Sequence, residues 1–127
     1  MKYIMCARLF PAYHPRAGEP TGFREKILNG KKIHTIRASA GNRKTGDTVS
    51  LREWTGRPYA SKQHKFCRAR ILVEPFSMHD ECWVKTIAIA EGDGLSVRDF
   101  QMWFTRGKDV AIQFDGVRIW FKELTDE

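Results

Sequence analysis

The sequence predicts one α+β domain, a small β-barrel of five to six short strands decorated by two short helices. Three observations carry this. Apolar and polar residues alternate over short runs, as from Phe66 to Val73, which is the period of a half-buried strand. Two segments, opening near Thr21 and at Ser96, instead space their apolar residues at helical intervals behind a capping residue. No internal repeat, low-complexity tract or Ser/Gly linker divides the 127 residues, so 1–127 read as a single domain with one core. Closure into a barrel is expected because it removes the exposed edges that short strands leave.

In chain order, Tyr3 to Leu9 reads as the first strand, and Phe10 to Gly22, with three prolines and two glycines, as a loop long enough to be a lid. Thr21 is the expected cap of a two-turn helix that sets Phe23, Ile27 and Leu28 on one side and stops at Asn29-Gly30. Ile33 to Arg37 alternates as a strand. Asn42 to Asp47 is a polar turn leading into the strand Thr48 to Trp54, with a further turn at Gly56 to Pro58. In the strand Phe66 to Val73, Arg68 and Arg70 point one way and Cys67, Ala69, Ile71 and Val73 the other. Val84 to Ala90 is an apolar run broken by Gly92-Asp93-Gly94. Ser96 caps the second helix, with Val97, Phe100, Phe104 and Trp103 on its buried face, and Val117 to Phe121 is the closing strand. Trp83, Trp103, Trp120, Phe100, Phe104 and Phe121 are expected in the core.

Charge narrows the function. Lys and Arg number 22 against 15 Asp and Glu, giving +7 and a pI near 9.6, which favours a polyanionic partner, RNA or a nucleoside derived from it. The plainer reading is a basic balance that keeps a small domain soluble. Met1 to Phe10 lacks the long apolar core of a signal peptide, and no stretch approaches the roughly 20 apolar residues of a membrane span. Cys6, Cys67 and Cys82 make an odd count without the density of a disulfide scaffold, which suits a reducing cytoplasm. The expectation is a cytoplasmic protein off the membrane, with no cofactor and no obligate protein partner.

Three blocks carry a more specific signal. They are Ile27-Leu28-Asn29-Gly30-Lys31-Lys32-Ile33-His34-Thr35-Ile36-Arg37, Lys44-Thr45-Gly46-Asp47-Thr48-Val49, and Ala90-Glu91-Gly92-Asp93-Gly94-Leu95-Ser96-Val97-Arg98-Asp99-Phe100. Together they resemble the ASCH family, whose fold is similar to the PUA domain of RNA-modifying proteins, over roughly Phe23 to Phe121. The resemblance implies a PUA-like barrel. Function is less determined, since that family includes binding modules, a ribonuclease and bacterial N(4)-acetylcytidine amidohydrolases. The amidohydrolase pattern falls here on Lys32 and Thr35. Its catalytic acid, a Glu in the family, falls on Asp93, with Glu91 as competitor. The long Phe10 to Gly22 loop departs from the shortest members.

Physically, a strand from Ile33 sets Thr35 and Arg37 on one face, with Lys32 at its mouth after a glycine turn. A lysine that loses solvent beside a guanidinium holds its proton less tightly, so its amine becomes available as a base. Thr35 then either attacks as a nucleophile or orients a water. Arg37 suits a phosphate, a base edge or an oxyanion; its structural alternative is an ion pair with Asp93 or Asp47. Lys31, Glu91, Trp54 and Arg70 complete the expected substrate-binding set. The wider basic series, from Lys31 to Arg70 and interleaved with Trp54, Tyr59 and His64, reads as a nucleic-acid groove or as a solvated face. The runner-up functions are a binding module that neutralises phosphate with Lys32, Arg37 and Arg70, and a ribonuclease using Lys32 and His34. His64-Lys-Phe-Cys67 and His79-Asp-Glu-Cys82 repeat a metal-like spacing, but residues three apart on a strand face opposite ways, so no metal is assigned.

Overall fold

A computed structural model describes residues 2–79 and 82–125. It is α+β, with one five-stranded mixed sheet and three short helices. In chain order these are β1 (Tyr3–Met5), α1 (Phe23–Leu28), β2 (His34–Arg37), β3 (Thr48–Trp54), β4 (Gln63–His79), α2 (Trp83–Gly92), α3 (Val97–Phe104) and β5 (Gln113–Thr125). The order across the sheet is β1-β3-β4-β5-β2, with only the β1–β3 pair parallel. No helix of the described chain is long and apolar enough to cross a membrane.

The expected closure is not found: β1 and β2 are the two edges of an open sheet. Arginine side chains stand where a ladder would have closed it. Arg37 Nη2, on β2, donates to the Met5 carbonyl of β1 at 2.6 Å, and Arg43 Nε donates to the Tyr3 carbonyl at 2.7 Å. The outward carbonyls of β1 are thus satisfied without a neighbouring strand, and the edge is covered by charge.

β3 occupies the expected residues, and β4 and β5 run well beyond theirs. Cys67, Ala69 and Ile71 are buried while Arg70 is exposed, as the alternation predicts. Pro75 inside β4 is tolerated because the ladder to β3 has ended by then. Ile71 N and Val73 N already turn to Asp47 O and Thr45 Oγ1, so the missing N–H of Pro75 falls on that same open side.

The helices bring two corrections. The apolar run from Val84 is the third helix, α2, with Thr86, Ile89 and Ala90 buried at helical spacing. Trp83 at its start is 58% exposed and so outside the core where it was expected. At α1, Gly22 holds the cap position with a left-handed φ of 71°, and Thr21 instead donates to Ala7 O while accepting from Phe23 N. Ser96 caps α3 as expected, accepting from Asp99 N. One cluster including Ile4, Ile27, Leu51, Ile71, Phe100 and Ile119 fills the space between the sheet and the helices.

The Phe10–Gly22 loop is strapped down rather than free to act as a lid. Phe10 and His14 are buried. His14 Nε2 donates to Asp99 O at 2.9 Å and its Nδ1 accepts from Arg16 N, which fixes a neutral tautomer. Tyr13 Oη donates to Trp103 O, and Arg16 pairs with Asp99 at 2.6 Å.

Candidate active site

Where the sheet fails to close, a cavity of about 220 Å³ opens at the seam. Met5 at the end of β1 with Cys6 and Ala7 just after it, Lys32 before β2 with Thr35 to Arg37 on it, and Phe23, Asp93, Leu95, Trp103 and Phe104 from the helical side line it. Four expected residues, Lys32, Thr35, Arg37 and Asp93, therefore share one cavity.

The turn Gly92-Asp93-Gly94 is held against the mouth of β2 by one backbone hydrogen bond and one from a lysine of α1. Ile33 N donates to Gly92 O at 2.8 Å, and Lys26 Nζ donates to Gly94 O at 2.8 Å. Both glycines are required by close approach: a Cβ on Gly92 would stand 2.7 Å from His34 Nε2, and one on Gly94, where φ is 76°, 3.0 Å from Lys32 Cβ.

Lys32 is not the free amine that desolvation beside Arg37 suggested. Its Nζ donates to Asp93 Oδ1 at 2.7 Å and to the Asp93 carbonyl at 2.9 Å, and lies 4.1 Å above the Phe23 ring. Fewer than a tenth of either side chain is exposed. Burial pushes the Asp93 carboxyl up from its ordinary value, while the charges of Lys32 and Arg37 pull it back. The carboxyl and the amine are thus held in direct contact at the cavity wall.

Thr35 Oγ1 accepts from Arg37 Nε at 3.2 Å. That donor favours the oxyanion form of the hydroxyl and leaves its proton directed elsewhere. No hydrogen bond joins Thr35 to Lys32. Arg37 makes neither of the expected ion pairs; Asp47 pairs with Lys2 at 2.7 Å and Asp93 with Lys32. Its Nη1 has no acceptor among the described residues, and burial lowers its pKa from the ordinary value.

The other expected binding residues do not reach the cavity. Lys31 and Glu91 lie along a separate shallow depression beside Lys26. Trp54 packs on Tyr59 at the far end of β3, and Arg70 is exposed and faces Glu123. His34 is buried against Gly92 and Trp120, with its Nδ1 3.9 Å from Asp93 Oδ1 and without a hydrogen-bond partner. Burial first, then Lys32 and Arg118, push its pKa down to about 3, so it is neutral near pH 7. In the first metal-like pair His64 is exposed while Cys67 is buried; the expected opposition of faces is not found, because a bulge between them pairs Cys67 with Leu51 and His64 with Glu53, two residues apart on β3. The Asp80-Glu81 spacer of the second lies outside the described residues.

Cys6, Phe23, Trp103 and Phe104 were not named as cavity residues from sequence. Apolar spacing marks them as core, and only the gap between β1 and β2 turns part of that core into a wall. Comparison with protein-family models, curated proteins and solved structures found no match to this chain.

Proposed function

We propose that this protein is an amidohydrolase of ASCH type that removes an acyl group from the exocyclic amine of a modified pyrimidine nucleoside, N(4)-acetylcytidine being the leading substrate. The observation that carries the reading is the convergence of a buried Lys32–Asp93 pair and a Thr35–Arg37 pair on one cavity. Lysine, threonine and an acid are the residue types that the family resemblance assigns to this chemistry, and Asp93 rather than the exposed Glu91 supplies the acid. At about 220 Å³ the cavity is below the roughly 300–1,000 Å³ of drug-sized sites, which suits one base with its substituent and not a folded polymer.

In the proposed reaction, Lys32 hands the proton it carries to Asp93, and Thr35 Oγ then attacks the acyl carbonyl and passes its own proton to the freed amine. Arg37 Nη1 donates to the developing oxyanion. The C–N bond breaks as Lys32 protonates the leaving amine, giving an acyl-threonine ester. Water then attacks the ester carbonyl as Lys32 takes one of its protons, and the amine passes that proton to Thr35 Oγ as the ester C–O bond breaks, releasing the carboxylic acid and restoring the hydroxyl. The substrate or a water spans the gap between Lys32 and Thr35.

Incubation with a panel of acylated nucleosides and single-stranded RNAs, scored by mass spectrometry, tests the reading. Release of cytidine from N(4)-acetylcytidine is expected. RNA cleavage without deacylation would favour the ribonuclease alternative, although the buried, neutral His34 is poorly placed as its acid or base. Turnover of nothing in the panel would favour a binding module.

A further inference from the structure

The cavity leaves one acid-free, cation-rich stretch of the chain unused. From Trp54 to Val73 there is no Asp or Glu, while Arg57, Lys62, Lys65, Arg68 and Arg70 all fall in this stretch. It forms the turn between β3 and β4 and the first half of β4. Arg57, Lys62 and Lys65 are exposed and have no carboxylate partner among the described residues, and Arg70 has only an exposed contact with Glu123 at 3.8 Å. Five cations and no acid thus share the distal part of one hairpin.

The tip of that hairpin also presents an aromatic ring. Tyr59 is 91% exposed, and its φ of 62° is a backbone region unfavourable for so large a side chain. Its ring centroid lies 5.1 Å from that of Trp54, which backs it from β3. The turn beneath is tied by Ser61 Oγ to Arg57 O and Gly56 N, and by Thr55 to Lys62 O. The ring is held outward by a closed turn.

We propose that the β3–β4 hairpin is a docking platform for single-stranded nucleic acid. Tyr59, supported by Trp54, stacks on an unpaired base while Arg57, Lys62 and Lys65 neutralise the flanking phosphates. A duplex keeps its base faces covered, so an exposed ring flanked by cations fits a single strand better. An anionic membrane or an acidic protein would meet the cations but offer no regular π face to Tyr59. None of these residues lines the cavity, so the platform stands independently of the amidohydrolase reading.

The test is fluorescence anisotropy of the full-length protein with a labelled short oligouridine, against a duplex of equal length and vesicles rich in anionic lipid, over a salt series. Single-stranded binding that weakens as salt rises is expected. Tyr59→Asn, a residue at home at positive φ, should weaken it about fivefold or more, whereas Tyr59→Phe should retain it. Replacing Arg57, Lys62 and Lys65 together by Ala should flatten the logarithmic salt slope by about 2, at roughly 0.7 per phosphate. Thr35→Val, which leaves the Lys32–Asp93 pair intact, should bind like wild type, so loss of hydrolysis and loss of docking are separable. Undetectable binding at low salt, a duplex or vesicle bound as tightly as the single strand, or wild-type affinity in Tyr59→Asn would each overturn the proposal.

Discussion

Lys32 and Asp93 place opposite charges 2.7 Å apart almost out of reach of water. Such a pair contributes little net stability when intact but leaves an uncompensated charge when one partner is removed. Asp93→Asn should therefore cost about 3–5 kcal/mol in denaturant unfolding, while Glu91→Gln, exposed and outside the cavity, should change stability by less than about 0.5 kcal/mol. Equal effects would contradict the assignment of the acid. His34 gives a pH signature. Its folded pKa of about 3 lies below the ordinary 6.5, so the unfolded chain binds the extra proton between those values. Its contribution is fully present above about pH 6.5 and is lost as pH falls towards 3, by up to roughly 1.4 kcal/mol per pH unit. Asp93, shifted upward, acts in the opposite sense, losing stability as pH rises through its folded value. The informative quantity is thus the difference between wild type and His34→Leu: the variant should melt with a flatter acid limb, and parallel curves would contradict the burial argument. At this scale Lys32, Thr35 and Asp93 were marked by the three sequence blocks and what their resemblance implies, and Arg37 by its place on the strand face of Thr35. The sequence could not show that Lys32 is bonded to Asp93, a contact 61 residues apart in the chain, or that Trp54 turns to Tyr59 at the far end of β3 and not to the cavity.

Elements with a local signal were legible. β3 has a polar turn before it and clear alternation within it, and α3 has its Ser96 cap, so both lie where local rules place them. α2 was not legible as a helix, because an unbroken apolar run hides the 3.6-residue period that only burial of Thr86, Ile89 and Ala90 reveals. The Phe10–Gly22 loop was recognised by its prolines and glycines, but its anchoring on α3 was not, since His14 and Asp99 are 85 residues apart. That anchoring supports Trp103, whose ring meets Phe10 and Phe23 beside the cavity. His14→Ala removes a buried ring hydrogen-bonded at both nitrogens and should cost about 2 kcal/mol or more. Limited proteolysis should then cut within residues 15–19 faster than in wild type; an unchanged cleavage rate would mean that the strap does not depend on His14.

The molecule as a whole is an α+β fold with its candidate site at the join of an incomplete sheet. The class and the single core follow from composition and alternation, but closure depends on whether two edge strands meet, and here Arg37 and Arg43 side chains stand between them. The same gap supplies the cavity, so the feature least legible in the sequence is the one that makes a site of residues the sequence did mark. The most direct measurement is turnover of N(4)-acetylcytidine by wild type, Thr35→Val and Lys32→Met, with folding of each checked by thermal melting. Thr35→Val preserves β-branching and volume while deleting the hydroxyl, and Lys32→Met removes the amine. The account predicts release of cytidine by wild type and a fall on the order of a hundredfold or more in each variant. No turnover by the wild type, or near-normal rates in both folded variants, would contradict it.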